Sequence, residues 1–272
     1  MTSKDGSEMI ASIPPLTLAL LLCISLLAGI GITAVGPGGI FITIALYALT
    51  DLPPATIVGT ASATFVATGM LGTASYYRSG ELGSRGGPRS ALVLSVTGLA
   101  GALVGVRLNA FLDESVFGVL LGALVTVTGV LVFYRTRYGI GNMDYDTTSV
   151  RGTLGVGAIG GFVGISGGLL GVGGPVLAVP LLVAAGVPML FAVGLAQVQS
   201  IFIAAFATAG YVLRDAVSWP LVGAIGVPEL VGVTLGWKVA QTVDADRLTR
   251  SLAGLMLLLG PYLAISSVFG YA

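Results

Sequence analysis

Histidine is absent from this chain, and cysteine occurs once, at Cys23. Those two scarcities exclude a disulfide framework, a Cys/His zinc site, a histidine proton relay and any reactive cysteine pair. Charge is nearly as scarce. Only 9% of the 272 residues are Asp, Glu, Lys or Arg, against about 25% in an ordinary soluble domain. Twelve basic residues balance twelve acidic ones, and no basic run exists, so a nucleic-acid partner is excluded. The N-terminal stretch MTSKDGSEM has one Lys against Asp5 and Glu8 and lacks the basic region of a cleaved signal peptide, so the first apolar run reads as a retained helix.

What is present is apolar and small. Hydrophobic residues make up 55% of the chain, mean hydropathy is +1.00, and there are 42 glycines. This is the composition of a multi-pass membrane protein of the plasma membrane, whose environment is the lipid bilayer. There, small residues let helices approach closely and permit breaks where backbone lines a cavity. Long apolar runs cover 14–36, 38–50, 55–77, 90–110 and 114–135. A polar stretch follows at 136–151, and the pattern restarts with 152–172, 174–186, 187–213, 219–240 and 248–272. Most reach the roughly 20 residues that a hydrocarbon core requires. Segments 38–50 and 174–186 do not, and read as partial spans or as helices that begin near the membrane centre.

The restart is also a repeat of sequence. Sliding residues 29–77 by 135 positions onto 164–212 gives 13 identities in 49 positions without a gap. Gly36/Gly171, Gly38/Gly173, Gly39/Gly174, Pro53/Pro188, Gly59/Gly194 and Tyr76/Tyr211 are among them. A shift of 131 aligns the later helices, including Gly101/Gly232, Gly105/Gly236 and Arg107/Lys238. The expected fold is therefore an all-α polytopic membrane protein of two homologous, inverted repeats of about five helical segments each. The expected organisation is repeat 1 over 14–135, a cytoplasmic linker over 136–151 and repeat 2 over 152–272. Inversion follows from the positive-inside rule. Five crossings per repeat put nine of the twelve Lys and Arg residues on one face, whereas four crossings split them eight to four. Inverted repeats with short broken helices are the architecture of secondary transporters, with substrate held near the midplane.

Three stretches carry the candidate chemistry. The first is AVGPGGIFITIAL at 34–46, with LGVGGPVLAVPLL at 170–182. Glycine clusters before a helix start expose backbone N–H groups and add positive dipole character, so Gly38, Gly39, Gly173 and Gly174 are candidate anion donors, although such glycines also serve helix packing. The second stretch is VGTASATF at 58–65 with VGLAQVQS at 193–200, which set Thr60, Ser62, Gln197 and Gln199 in otherwise apolar helices. Those groups are candidate side-chain donors, or else they bond between helices. The third is Glu229, the one ionisable group well inside a span and a candidate for proton coupling. Pro228–Glu229 equally fits a helix start, with Pro at the first position and the acid complementing the dipole. Arg107 and Lys238, near helix ends, are expected to snorkel to the interface.

In their order, GPGG, DLPPATIVGTAS and GALVGVRL in the first half, with GVGGPVLAVP, GVPMLFAVGLAQ and VGVTLGWKV in the second, resemble the TauE/SafE sulfite exporters and related permeases. The resemblance runs from about residue 16 to 270 and implies transport of a small anionic substrate, such as sulfite or a sulfonate. The sequence departs from the pattern at Ile40 and Ala45, where the second half has Pro175 and Pro180, and at Leu195 and Gln197, where the first half has Thr60 and Ser62. These differences bear on which anion is carried.

The reading is thus a permease for a small oxyanion, running as an exporter. Each negative charge leaving an interior-negative cell gains roughly 2.3 kcal/mol per 100 mV, so outward flow needs no coupled ion. A proton-coupled importer and a membrane scaffold are the alternatives. No catalytic residues, metal ligands or cofactor are expected, since no constellation of titratable groups suits an enzyme. A homo-oligomer is compatible with the composition.

Overall fold

The computed structural model describes residues 13–78, 80, 82, 87–138, 149–242 and 245–269. Most of the 136–151 linker lies outside them. Among the described residues there is no strand and there are ten α-helices. They are α1 Pro15–Ala34, α2 Ile40–Leu49, α3 Pro54–Arg78, α4 Gly87–Asn109, α5 Glu114–Tyr138, α6 Val150–Leu170, α7 Gly174–Ala184, α8 Met189–Val212, α9 Trp219–Thr242 and α10 Ala245–Phe269. A short 3₁₀ turn, Pro37–Gly39, joins α1 to α2. Eight helices are long and apolar enough to cross a membrane, while Pro37–Leu49 and Gly174–Ala184 are not. The protein is an all-α polytopic membrane protein, as its composition requires.

Helix starts follow local chemistry. Pro15 opens α1, where its missing N–H costs nothing. Asp113 Oδ1 accepts from Val116 N at 2.8 Å at the head of α5, and Ser149 Oγ accepts from Gly152 N at 3.0 Å at the head of α6. One expectation is corrected. Pro228 does not begin a helix; it sits inside the continuous α9, so Glu229 lies mid-span and the helix-start explanation of its charge does not apply. Such prolines are tolerated in membrane helices because neighbours re-satisfy the freed carbonyl.

Lipid tails are as apolar as leucine, so these helices associate by close packing rather than by a hydrophobic drive. Glycines mark the crossings. A Cβ on Gly29 of α1 would stand 2.1 Å from Glu229 O of α9, and one on Gly232 of α9 would stand 2.1 Å from Leu26 O. Correspondingly, a Cβ on Gly164 of α6 would lie 2.0 Å from Gly98 O of α4, and one on Gly101 would lie 2.3 Å from Gly161 O. Leu16, Leu27, Leu92 and Leu258 point outward, exposed, on the lipid-facing side.

The contact registers also fix helix directions. Low numbers meet low and high meet high between α1 and α9 (Gly29 with Glu229, Gly236 with Ile30 and Thr33) and between α3 and α9 (Thr60 with Ser218 at the head of α9, Gly226 with Thr64). Helices α1 and α3 therefore point the same way, and the chain between them, carrying α2, must return. The same holds in the second half. Helix α4 runs parallel to α6 (Gly101 with Gly161, Gly105 with Ile165) and to α8 (Gly87 with Phe191, Gly98 with Gln199, Gly210 with Val106). So α6 and α8 point the same way, and α7 returns the chain between them. By contrast, α3 and α8 are antiparallel, with Gly59 against Tyr211 and Gly194 against Tyr76. Helices α5 and α10 are antiparallel too, with Gly118 against Ser267 and Gly129 against Met256.

Candidate functional site

Breaking a helix at membrane depth strands its last carbonyls, which water does not reach, so each needs a partner from elsewhere in the protein. At the end of α1, Val35 N and Gly36 N both donate to Gly31 O, at 3.1 and 3.0 Å. The next two carbonyls are capped by other helices. Gln197 Nε2 of α8 donates to Ile32 O at 3.2 Å, and the Tyr76 hydroxyl of α3 donates to Thr33 O at 2.7 Å. Gly36, at φ 109°, then turns the chain into the 3₁₀ segment; a side chain there would be strained.

The end of α6 is treated alike. Gly171, at φ 64°, is a left-handed cap whose N–H donates to Gly167 O at 2.9 Å. The Tyr211 hydroxyl donates to Gly168 O at 2.7 Å, Asn109 Nδ2 donates to Leu169 O at 2.9 Å, and the Thr43 hydroxyl donates to Gly171 O. Tyr76 to Thr33 and Tyr211 to Gly168 stand exactly one 135-residue shift apart and span the same 43 residues.

The two breaks meet. Gly36 and Gly39 from the first, and Gly173, Pro175 and Val176 from the second, line one small cavity of about 10 Å³, completed by Ile32, Phe65, Thr68 and Ser200. Helices α2 and α7 both start at this point, so two positive dipole ends flank it. Only two of the four glycine candidates line the cavity. Gly38 instead presses on α1, where a Cβ would stand 2.4 Å from Ala28 O and from Gly31 C, and Gly174 presses on α8, 3.1 Å from Ser200 Cα. Those two glycines allow the close approach that puts Gly39 and Gly173 in the wall.

The side-chain candidates are all buried but lie outside the lining. Thr60 Oγ1 accepts from Ser218 N at 3.0 Å, tying α3 to the head of α9. Ser62 is buried on the same helix. Gln197 holds the end of α1, and Gln199 Nε2 donates to Gly160 O of α6 at 3.2 Å, which leaves both amide oxygens without a hydrogen-bond partner. Glu229 is fully buried, with the Thr64 side chain of α3 beside it and neither carboxyl oxygen in a hydrogen bond of ordinary geometry. Reading the sequence for donors missed Thr68. It is the i+4 continuation of Thr60 and Thr64 along one face of α3, a spacing that marks it as their neighbour. Ser200, the last residue of VGLAQVQS, also faces the cavity from α8.

Neither a curated protein nor a solved structure matches the chain. A family profile does. The one described as "Sulfite exporter TauE/SafE" matches residues 21–263, which takes in both glycine-rich breaks, all ten helices in whole or part, and every residue of the cavity wall. That family implies a membrane transporter of sulfite-type anions. The chain belongs to the sulfite exporter TauE/SafE family.

Proposed function

We propose that this protein is a plasma-membrane permease that carries a small oxyanion, sulfite or an organosulfonate, outward between two inverted halves. The observation that supports it is the convergence of both glycine-rich breaks on one cavity. Backbone at Gly39 and Gly173, two helix starts, and the hydroxyl side chains Thr68 and Ser200 surround a point where an anion would meet donors and no fixed cation. Gly38 and Gly174 hold that backbone in position, while Thr60, Gln197 and Gln199 bond between the helices that carry it, with Ser62 buried among them. Uncharged donors suit transport, because a buried cation costs several kcal/mol and would also bind the anion too tightly for release. At about 10 Å³ the cavity has room for one water at most, so the site is closed and the halves must part to admit substrate. The antiparallel pairs α3/α8 and α5/α10 are what two inverted halves require.

Flux from proteoliposomes across a panel of sulfite, sulfate, thiosulfate, taurine and sulfoacetate tests this reading. An interior-negative potential is expected to accelerate efflux of the charged substrate, by up to roughly 50-fold in the equilibrium gradient per charge per 100 mV. A folded protein that moves none of the panel overturns the permease, and flux indifferent to potential overturns electrogenic export. A second reading rests on Glu229, whose buried carboxyl can carry a proton during transport. On α1 and α3, the described neighbours of α9, the titratable or charged groups are the exposed Cys23, the capping Tyr76, and Tyr77 and Arg78 at the far end. If the proton reading holds, Glu229→Gln abolishes acceleration of flux by an imposed pH gradient and leaves the response to potential intact.

Topology is testable separately. With α2 and α7 each returning the chain, the reading has each half pass five times, which puts the start of α1 and the end of α10 on the face opposite the arginine-rich loops. In a Cys23→Ser background, single cysteines at Ser3 and Ala272 are both expected to react with an impermeant thiol reagent added outside. Labelling of one end only would rule out an even number of passes.

A further inference from the structure

Phe65 stands where an anion bridging the two breaks would have to pass. Its Cε1 and Cζ lie 3.2 and 3.3 Å from the place a Cβ would occupy on Gly39, and its Cδ2 and Cε2 lie 3.4 and 3.5 Å from the corresponding place on Gly173. One ring is therefore wedged edge to edge between backbone of the first half and backbone of the second. The ring is buried at 2% exposure, and it takes up the space that the glycines leave by lacking side chains. One repeat shift along the chain, the equivalent residue is Ser200, which lines the same cavity from α8. The two walls are thus unlike: a bulky apolar one on α3 and a small hydroxyl one on α8.

We infer that Phe65 is the gate and size filter of the anion pathway, favouring compact oxyanions the size of sulfite over bulkier organosulfonates such as sulfoacetate. The inference rests on the transport reading above and adds the determinant of substrate size. Nothing polar on a phenyl ring ties it in place, so it moves by a side-chain rotation, whereas the glycine backbone around it is fixed by the capping bonds to Ile32, Thr33 and Gly168. An anion reaching donors at both breaks displaces the ring. A larger anion must displace it further, toward Ile32 and Val176, which line the same cavity.

The test compares sulfite with sulfoacetate in proteoliposomes for wild type, Phe65→Ala, Phe65→Leu and Phe65→Trp, each checked for a monodisperse peak in detergent. Trimming a pocket by a few carbons changes discrimination by about tenfold to a hundredfold. Phe65→Ala is expected to raise the sulfoacetate-to-sulfite flux ratio at least about tenfold, Phe65→Leu to raise it less, and Phe65→Trp to depress both fluxes while the protein stays folded. If Phe65→Ala does not fold, the Leu and Trp variants decide alone. A ratio unchanged in the smaller variants, with Phe65→Trp transporting as wild type does, overturns the inference and leaves the permease standing. A folded wild type that moves no anion in the panel overturns the permease itself.

Discussion

Gly29→Ala and Gly164→Ala are each expected to abolish the folded protein. The added methyl carbon would sit 2.1 Å from Glu229 O in the first case and 2.0 Å from Gly98 O in the second, well inside van der Waals contact. In both cases the obstacle is helix backbone, which no rotamer change can move aside. Relief requires α1 to separate from α9, or α6 from α4, and each of those pairs is held by further glycines above and below. Ordinary overpacking costs about 1–3 kcal/mol, and a rigid backbone clash belongs at or beyond the top of that range. Gly223→Ala and Gly254→Ala are the controls. Nothing lies within 4 Å of a Cβ at either position, so alanine should be neutral or stabilise the helix by up to about 1 kcal/mol. Size-exclusion profiles and thermal unfolding in detergent distinguish the two pairs. If Gly29→Ala melts where Gly223→Ala does, the α1/α9 contact is not as close as described.

These glycines also show where sequence reading is sharp and where it stops. Hydropathy placed runs at 14–36, 38–50 and 174–186, and the helices lie at Pro15–Ala34, Ile40–Leu49 and Gly174–Ala184. Lengths and breaks are local properties of apolar runs, Gly and Pro, so they are legible. Which side of a motif does what is not local. Gly38 and Gly39 are adjacent in one GPGG, yet one is jammed against α1 and the other faces the cavity. Likewise Pro228–Glu229 fits a helix start as well as a span interior, and Pro228 stands inside a helix, because tertiary packing decides between the two. Gln197 is conspicuous as a large amide at membrane depth, but its acceptor lies 165 residues away in sequence. Phe65 looks like any apolar residue of a span. Only the meeting of two remote glycine breaks on its ring gives it a distinct role.

Gln197→Leu is expected to leave the protein folded and to cut flux at least about tenfold, whereas Gln199→Leu changes neither folding nor flux by much. Both amides make one described hydrogen bond from Nε2 to a backbone carbonyl, at 3.2 Å in each case, so the chemical loss is similar. An unpaired buried carbonyl costs about 1–3 kcal/mol. The consequences differ by position. Gly160 O lies within α6, ten residues before that helix ends at Leu170, where the regular ladder supplies an intrahelical donor. Ile32 O lies in the last turn of α1 and beside the cavity, where the ladder has run out and the amide from α8 anchors the break of one half to a helix of the other. Freed from that anchor, the end of α1 keeps only its bonds at Thr33, from the Tyr76 hydroxyl and to Val233 O of α9, and the backbone at Gly36 and Gly39 loses its register against Gly173. Misplacing donors by about 1 Å can cost a hundredfold in a preorganised site, so the loss should appear in transport before it appears in folding. Equal flux in the two variants would mean that the Gln197 bond is ordinary interhelical glue, and that the broken end of α1 holds its shape without it.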